Sequence, residues 1–146
     1  MKKQFDKCLK LSRKIVDIDE EIIELKTMVM SPKNQAITDM PRGGGIANAI
    51  ENYLIRLEKL ERKKSNAKIE RNQIWKETKE ICLASGVCEE ETIRLLKERF
   101  YCGKSWNKCL NKMIELYPNS RWNINKCFRV YRAVLCKIHK MEELNL

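Results

Sequence analysis

The chain has 146 residues and a net charge of +10, from 30 Lys/Arg against 20 Asp/Glu with a single histidine. That length holds one domain, or two small helical ones, around a core of modest size. No run approaches the roughly 18 apolar residues of a membrane span, and the N-terminal MKKQFDKCLK lacks the apolar centre of a signal peptide, so a soluble cytoplasmic protein with no membrane partner is expected.

In chain order, Phe5, Cys8, Leu11, Ile15, Ile18, Ile22, Leu25 and Val29 recur in steps of three and four. This predicts one amphipathic helix with a coiled-coil-like seam, and Val16, Ile23 and Met28 widen the stripe enough to meet a second neighbour. Residues 31–45 (SPKNQAITDMPRGGG) then break the helix, because Pro32, Pro41 and three consecutive glycines are costly in a helical interior. A flexible connector is the plain reading of this segment, and a phosphate contact at Arg42 the alternative. Without a Gly-Lys-Ser/Thr it is not a nucleotide-binding loop.

From Ile46 through Ile50, Tyr53, Leu57, Leu60, Lys64, Ala67, Arg71, Ile74, Thr78 and Ile81 the seam runs in heptad register, predicting a long helix that stops at Ser85-Gly86. Two packings suit it: an antiparallel hairpin with the first helix, or a homodimer paired through residues 46–84. Glu89, Glu90 and Glu91 open the next helix at its positive dipole end. Ile93, Leu96 and Phe100 form its buried stripe with Leu95 at the flank, and it ends at Tyr101-Cys102-Gly103.

Ser105 caps a fourth helix whose apolar face is Trp106, Cys109, Leu110, Met113 and Ile114. Asn107, Lys108, Asn111 and Lys112 point outward. After the turn YPNSRW, in which Trp122 either plugs the core or stands exposed, Asn123 or Ser120 caps a last helix. Cys127, Val130, Val134, Leu135 and Ile138 are its inner face, while Asn125, Lys126, Arg129 and Arg132 occupy the other side. These two helices read as a helix-turn-helix. Residues 94–140 carry 12 Lys/Arg against 2 Asp/Glu, whereas residues 1–93 carry 18 against 16, so the positive excess sits where duplex DNA would need it. A solvated basic face is the bland alternative.

The chemistry-bearing residue types are few. The seven cysteines, at positions 8, 82, 88, 102, 109, 127 and 136, match no metal spacing, and His139 stands alone. Free thiols are expected, with Cys109, Cys127 and Cys136 in or beside apolar stripes as small hydrophobes. No Ser/His/Asp or Cys/His grouping supports nucleophilic catalysis, so neither an enzyme nor a cofactor is expected.

The run Arg99-Phe-Tyr-Cys-Gly-Lys-Ser-Trp106, followed by a helix and then Cys127-x-x-Val130 with Val134, Leu135 and Ile138, resembles the helix-turn-helix of region four of bacterial sigma factors. Its form is similar to that of phage-encoded transcription regulators of the ArpU/RinA type from Gram-positive hosts, as is the loop SPKNQAITDMPRGGG followed by NAIENYLIRLEKLE. The resemblance implies that Ile124, Asn125, Lys126 and Arg129 face the major groove, with Asn125, Lys126 and Arg129 as base readers. It also implies that Lys104, Ser105, Asn107 and Lys108 meet the DNA backbone, flanked by Arg121, Arg132 and Lys137. One departure is material: ten steps separate Met113 from Asn123 where the pattern leaves about three, so either the fourth helix runs on or residues 117–122 form an ordered loop.

The expected architecture is therefore all-α, a helical hairpin or coiled coil over residues 1–85 followed by a three-helix helix-turn-helix domain over 86–146. The expected function is sequence-specific DNA binding in transcription, as an activator of phage late genes. The alternatives are the DNA-recognition small subunit of a phage packaging terminase and a helical adaptor that binds host RNA polymerase.

Overall fold

A computed structural model describes residues 2–30 and 43–144, and among them there are five α-helices and no strand. They are α1 (Lys2–Met30), α2 (Gly43–Ala84), α3 (Glu90–Leu96) with a π-helical turn over Lys97–Tyr101, α4 (Trp106–Leu116), a 3-10 turn over Pro118–Ser120, and α5 (Ile124–Leu144). The chain is all-α, as its periodicity predicts. No described helix is long and apolar enough to cross a membrane. The expectations for residues 31–42, Arg42 included, lie outside the described residues. Gly43, Gly44 and Gly45 are the first turn of α2, not the end of the loop. A helix start tolerates glycine because its first N–H groups have no intrahelical partners to lose.

The chain forms two compact units, Lys14–Lys68 and Met1–Arg13 with Ile69–Leu146. In the first, α1 and α2 form an antiparallel hairpin: Asp19 pairs with Lys64, while further along α1 Leu25 and Met28 share a groove with Arg56 and Leu60. Ile15, Ile18, Ile22 and Leu25 are buried along α1, and Ala67 opposite them. Charge fixes the same pairing, since residues 17–24 hold five acids and no base while residues 56–68 hold six bases and two acids. The α2 seam therefore faces α1 of its own chain, the first of the two expected packings. Among the described residues Val16, Ile23 and Met28 meet no second neighbour, and they stand 49%, 62% and 60% exposed.

The second unit places the boundary elsewhere than at 85/86. Phe5, Cys8, Ile74 and Cys82 join Leu96, Phe100, Val134 and Ile138 in one buried cluster, so the start of α1 and the end of α2 are built into the same core as the C-terminal helices. A second cluster, Leu95, Cys109, Met113, Trp122 and Cys127, holds α3, α4 and α5 together. α3 lies between the two clusters. Leu96 serves one and Leu95 the other, which is why Leu95 is fully buried and not at the flank.

α2 ends as predicted. Gly86 takes φ +88°, Gly86 N–H donates to Leu83 O and Val87 N–H to Cys82 O at 2.9 Å, and Val87 is buried against the helix it has just left.

Candidate nucleic-acid interface

The foundation of the candidate site is the junction before α4. Ser12, buried on α1, directs its hydroxyl at the Cys8, Phe100 and Tyr101 carbonyls, 2.7 to 3.0 Å away. Gly103 follows with φ +71°, so close to α1 that a Cβ there would sit 2.9 Å from Ser12 Cβ. The Arg99 guanidinium stacks over the Trp106 ring at 4.9 Å and donates to Lys104 O at 2.8 Å. Burial, and after it the nearby Arg13 charge, pulls the Arg99 pKa down. Trp106 itself packs against both clusters, and its ring meets Phe100, Phe128 and Tyr131.

Both predicted helix caps form, although Asn123 and not Ser120 takes the second. Ser105 Oγ accepts from Lys108 N–H at 3.3 Å and Asn123 Oδ1 from Lys126 N–H at 2.8 Å. The Ser120 hydroxyl donates to the Glu91 carboxylate instead. The extra residues between the helices form an ordered loop: the 3-10 turn, then Arg121 in the left-handed region at φ 53°, then Trp122, only 7% exposed, in the α3–α4–α5 cluster.

The candidate side chains separate into two groups. Asn125, Arg129 and Arg132 are exposed on α5 at steps of four and three, on the side opposite the buried Cys127, Val134 and Ile138. Asn107 and Lys108, with the cap Ser105, are exposed at the start of α4, and Arg121 is exposed in the loop. Among the described residues Lys108, Arg121, Arg129 and Arg132 have no carboxylate within ion-pair reach.

The other group is engaged within the fold. Lys126 donates from Nζ to Ser120 O at 2.7 Å and lies over the Trp122 ring at 4.3 Å, so it braces the loop and does not extend outward as a base reader must. Lys104 pairs with the buried Glu98, which also takes Arg94 at 2.8 Å, so its charge is already balanced. Lys137 lies off the Arg129 line, beside a small cleft formed with Glu89, Thr92 and Val130. Cys136 is exposed, where a small hydrophobe in or beside the apolar stripe was expected; it continues the line of Asn125, Arg129 and Arg132. Cys8, Cys82 and Cys109 are buried free thiols pushed up to about 11 by burial.

Glu98 is the residue that sequence reasoning missed. An Arg94/Glu98 pair four apart is visible in the sequence, but such pairs are usually exposed, and only the fold shows this carboxylate 3% accessible. Burial pushes its pKa up, and the hydrogen bonds and charges of Lys104 and Arg94 outweigh burial to hold it below the ordinary carboxylate value. A depressed folded-state pKa contributes stability that is in full above the unfolded value of about 4.3 and is lost as pH falls through the lower folded value. Glu98→Gln is expected to cost about 2 kcal/mol at neutral pH by leaving two cations without their partner. It should also flatten the acid limb of a urea-denaturation series run between neutrality and strong acid. An acid limb identical to that of the unaltered chain would disprove this role.

No protein-family model, curated protein or solved structure matches this chain. What the residues define by themselves is an all-α protein with a capped helix, an ordered loop and a second capped helix that turns an amide and two unpaired guanidinium groups outward.

Proposed function

We propose that this chain is a sequence-specific DNA-binding regulator of transcription that reads the major groove with α5. The observation that carries the reading is the line Asn125, Arg129 and Arg132, exposed and without acidic partners, on the side of α5 that the core does not use. Arginine is suited to guanine edges and asparagine to adenine, and a helix of this length fits the groove. Asn107, Lys108 and the Ser105 cap at the start of α4, with Arg121 in the loop, meet phosphates on this reading. Lys126 takes no part in base reading, and Lys104, paired with Glu98, none in phosphate contact. The likeness of the Arg99–Trp106 run to sigma factor region four favours the finer assignment: an activator of phage late genes that works beside host RNA polymerase.

The reading is tested by recovering fragments from a digest of the encoding genome and footprinting those retained. One protected promoter-proximal site is expected. Retention of fragments in proportion to length alone, with no protected site, overturns it. Lys108→Ala should weaken binding to all sequences alike and reduce the slope of log K against log salt by about 1, as loss of one phosphate contact requires. A slope unchanged in a salt titration would remove Lys108 from the interface.

A further inference from the structure

α1 brings a second arginine to the junction before α4. Ser12 is fixed there by its hydrogen bonds to the Phe100 and Tyr101 carbonyls, and a Cβ on Gly103 would lie 3.8 Å from Arg13 N. Arg13 is exposed on that edge. Its charge reaches Arg99, whose guanidinium lies over the Trp106 ring and donates to Lys104 O, one residue before the Ser105 cap. Among the described residues neither arginine has a carboxylate within ion-pair reach, and Arg99 Nε is shut in without an acceptor. Asp17, one turn after Arg13, makes no ion pair with it. Asp6 is near enough to Arg99 to offset part of the repulsion, but two guanidinium groups outweigh one carboxylate.

We infer that Arg13 and Arg99 together seat a phosphate, and that α1 thereby joins the surface that DNA covers. Two like charges held near each other, one of them half-buried, repel and lose solvent, and an anion beside both removes these costs. Guanidinium donors match the oxygens of a phosphate. The duplex backbone is the source that continuity favours. Ser105, Asn107 and Lys108 follow directly on the backbone that Arg99 holds, so a phosphate at Arg13 and Arg99 is the neighbour of the one they meet. That source rests on the DNA reading given above; the phosphate chemistry of the pair does not. Free inorganic phosphate is the other source of the same chemistry.

Arg13 is the residue to change, since Arg99 also holds Trp106 and Lys104 O. In a salt titration on duplex DNA, Arg13→Ala should weaken binding to all sequences alike and reduce the slope of log K against log salt by about 1. Arg13→Lys should restore the slope, and Lys14→Ala, on the next side of α1, should leave it unchanged. A second arm adds inorganic phosphate alone, against chloride at equal ionic strength, with Arg13→Ala as the blank for the general effect of the salt. Phosphate should raise the melting temperature of the unaltered chain further than that of Arg13→Ala. The inference is overturned when Arg13→Ala keeps a slope that Lys108→Ala reduces and phosphate raises both melting temperatures equally; the DNA reading then still stands. A chain that binds no DNA yet shows the extra rise loses the DNA reading and keeps the pair as a site for free phosphate. One that shows neither loses both.

Discussion

Gly103→Ala is expected to cost about 2–4 kcal/mol of stability, several times the loss from Gly86→Ala. Both glycines hold a positive φ, +71° and +88°, so each substitution carries the left-handed penalty of an L-residue, about 1 kcal/mol. They differ in what surrounds them. A Cβ on Gly86 meets nothing within 4 Å, whereas a Cβ on Gly103 meets Ser12 Cβ at 2.9 Å. Ser12 has little room to withdraw, because its hydroxyl is held by the carbonyls that end the π-helical turn and its helix is anchored by Phe5 and Cys8 in the core. Forcing apart a packed junction of that kind adds roughly 1–3 kcal/mol. The measurement is a pair of urea titrations, with the change read from midpoints at constant slope. Equal losses for the two variants would show that the approach of α1 to Gly103 is not a constraint.

Arg129→Ala is expected to weaken binding to the specific site by about 1–3 kcal/mol, roughly 5- to 150-fold, and to relax sequence preference at one base pair. The size follows from a guanidinium that is exposed, unpaired and on the outward line of α5, and so free to make two parallel hydrogen bonds to a base edge. Lys126→Ala, three residues earlier, should behave differently. Lys126 is tied to Ser120 O and the Trp122 ring, so its loss should lower the melting temperature through the loop while the preferred sequence stays the same. A quantitative gel-shift series over single-base variants of the footprinted site separates the two. If Lys126→Ala changed sequence preference and Arg129→Ala did not, the assignment of roles along α5 would be reversed.

That contrast marks where one-dimensional reasoning stops. Lys126 and Arg129 look alike in the sequence: basic residues on a helix, one turn apart, off the apolar stripe. They separate only because the loop before α5 brings the Ser120 carbonyl and the Trp122 ring beside Lys126. Lys104 is the same case, a plausible phosphate contact until Glu98 is seen to be buried beside it. Charge counting locates an excess over a segment; it does not tell a spent charge from a free one.

Much else was legible. The stripe from Phe5 to Leu25 is buried at every predicted position, because helical periodicity alone decides which side chains share a face. Ser105 and Asn123 cap as their residue types suggest, and Gly86 ends α2, because capping is local chemistry between a side chain or a left-handed turn and the nearest free backbone groups. The all-α class, the long hairpin helices and the concentration of positive charge in residues 94–140 were all determined by the sequence itself.

The tertiary structure decided what depends on partners distant in the chain. It placed Phe5 and Cys8 in one core with Phe100 and Ile138, and so drew the compact units across the expected boundary at 85/86. It buried Leu95 by setting α3 between two clusters, left Val16 and Ile23 bare, and divided the basic residues into those that brace the fold and those that face outward. The physical reason is common to all of these. Local pattern fixes the direction of a side chain relative to its own helix, but burial and ion pairing are set by which other helix arrives at that face.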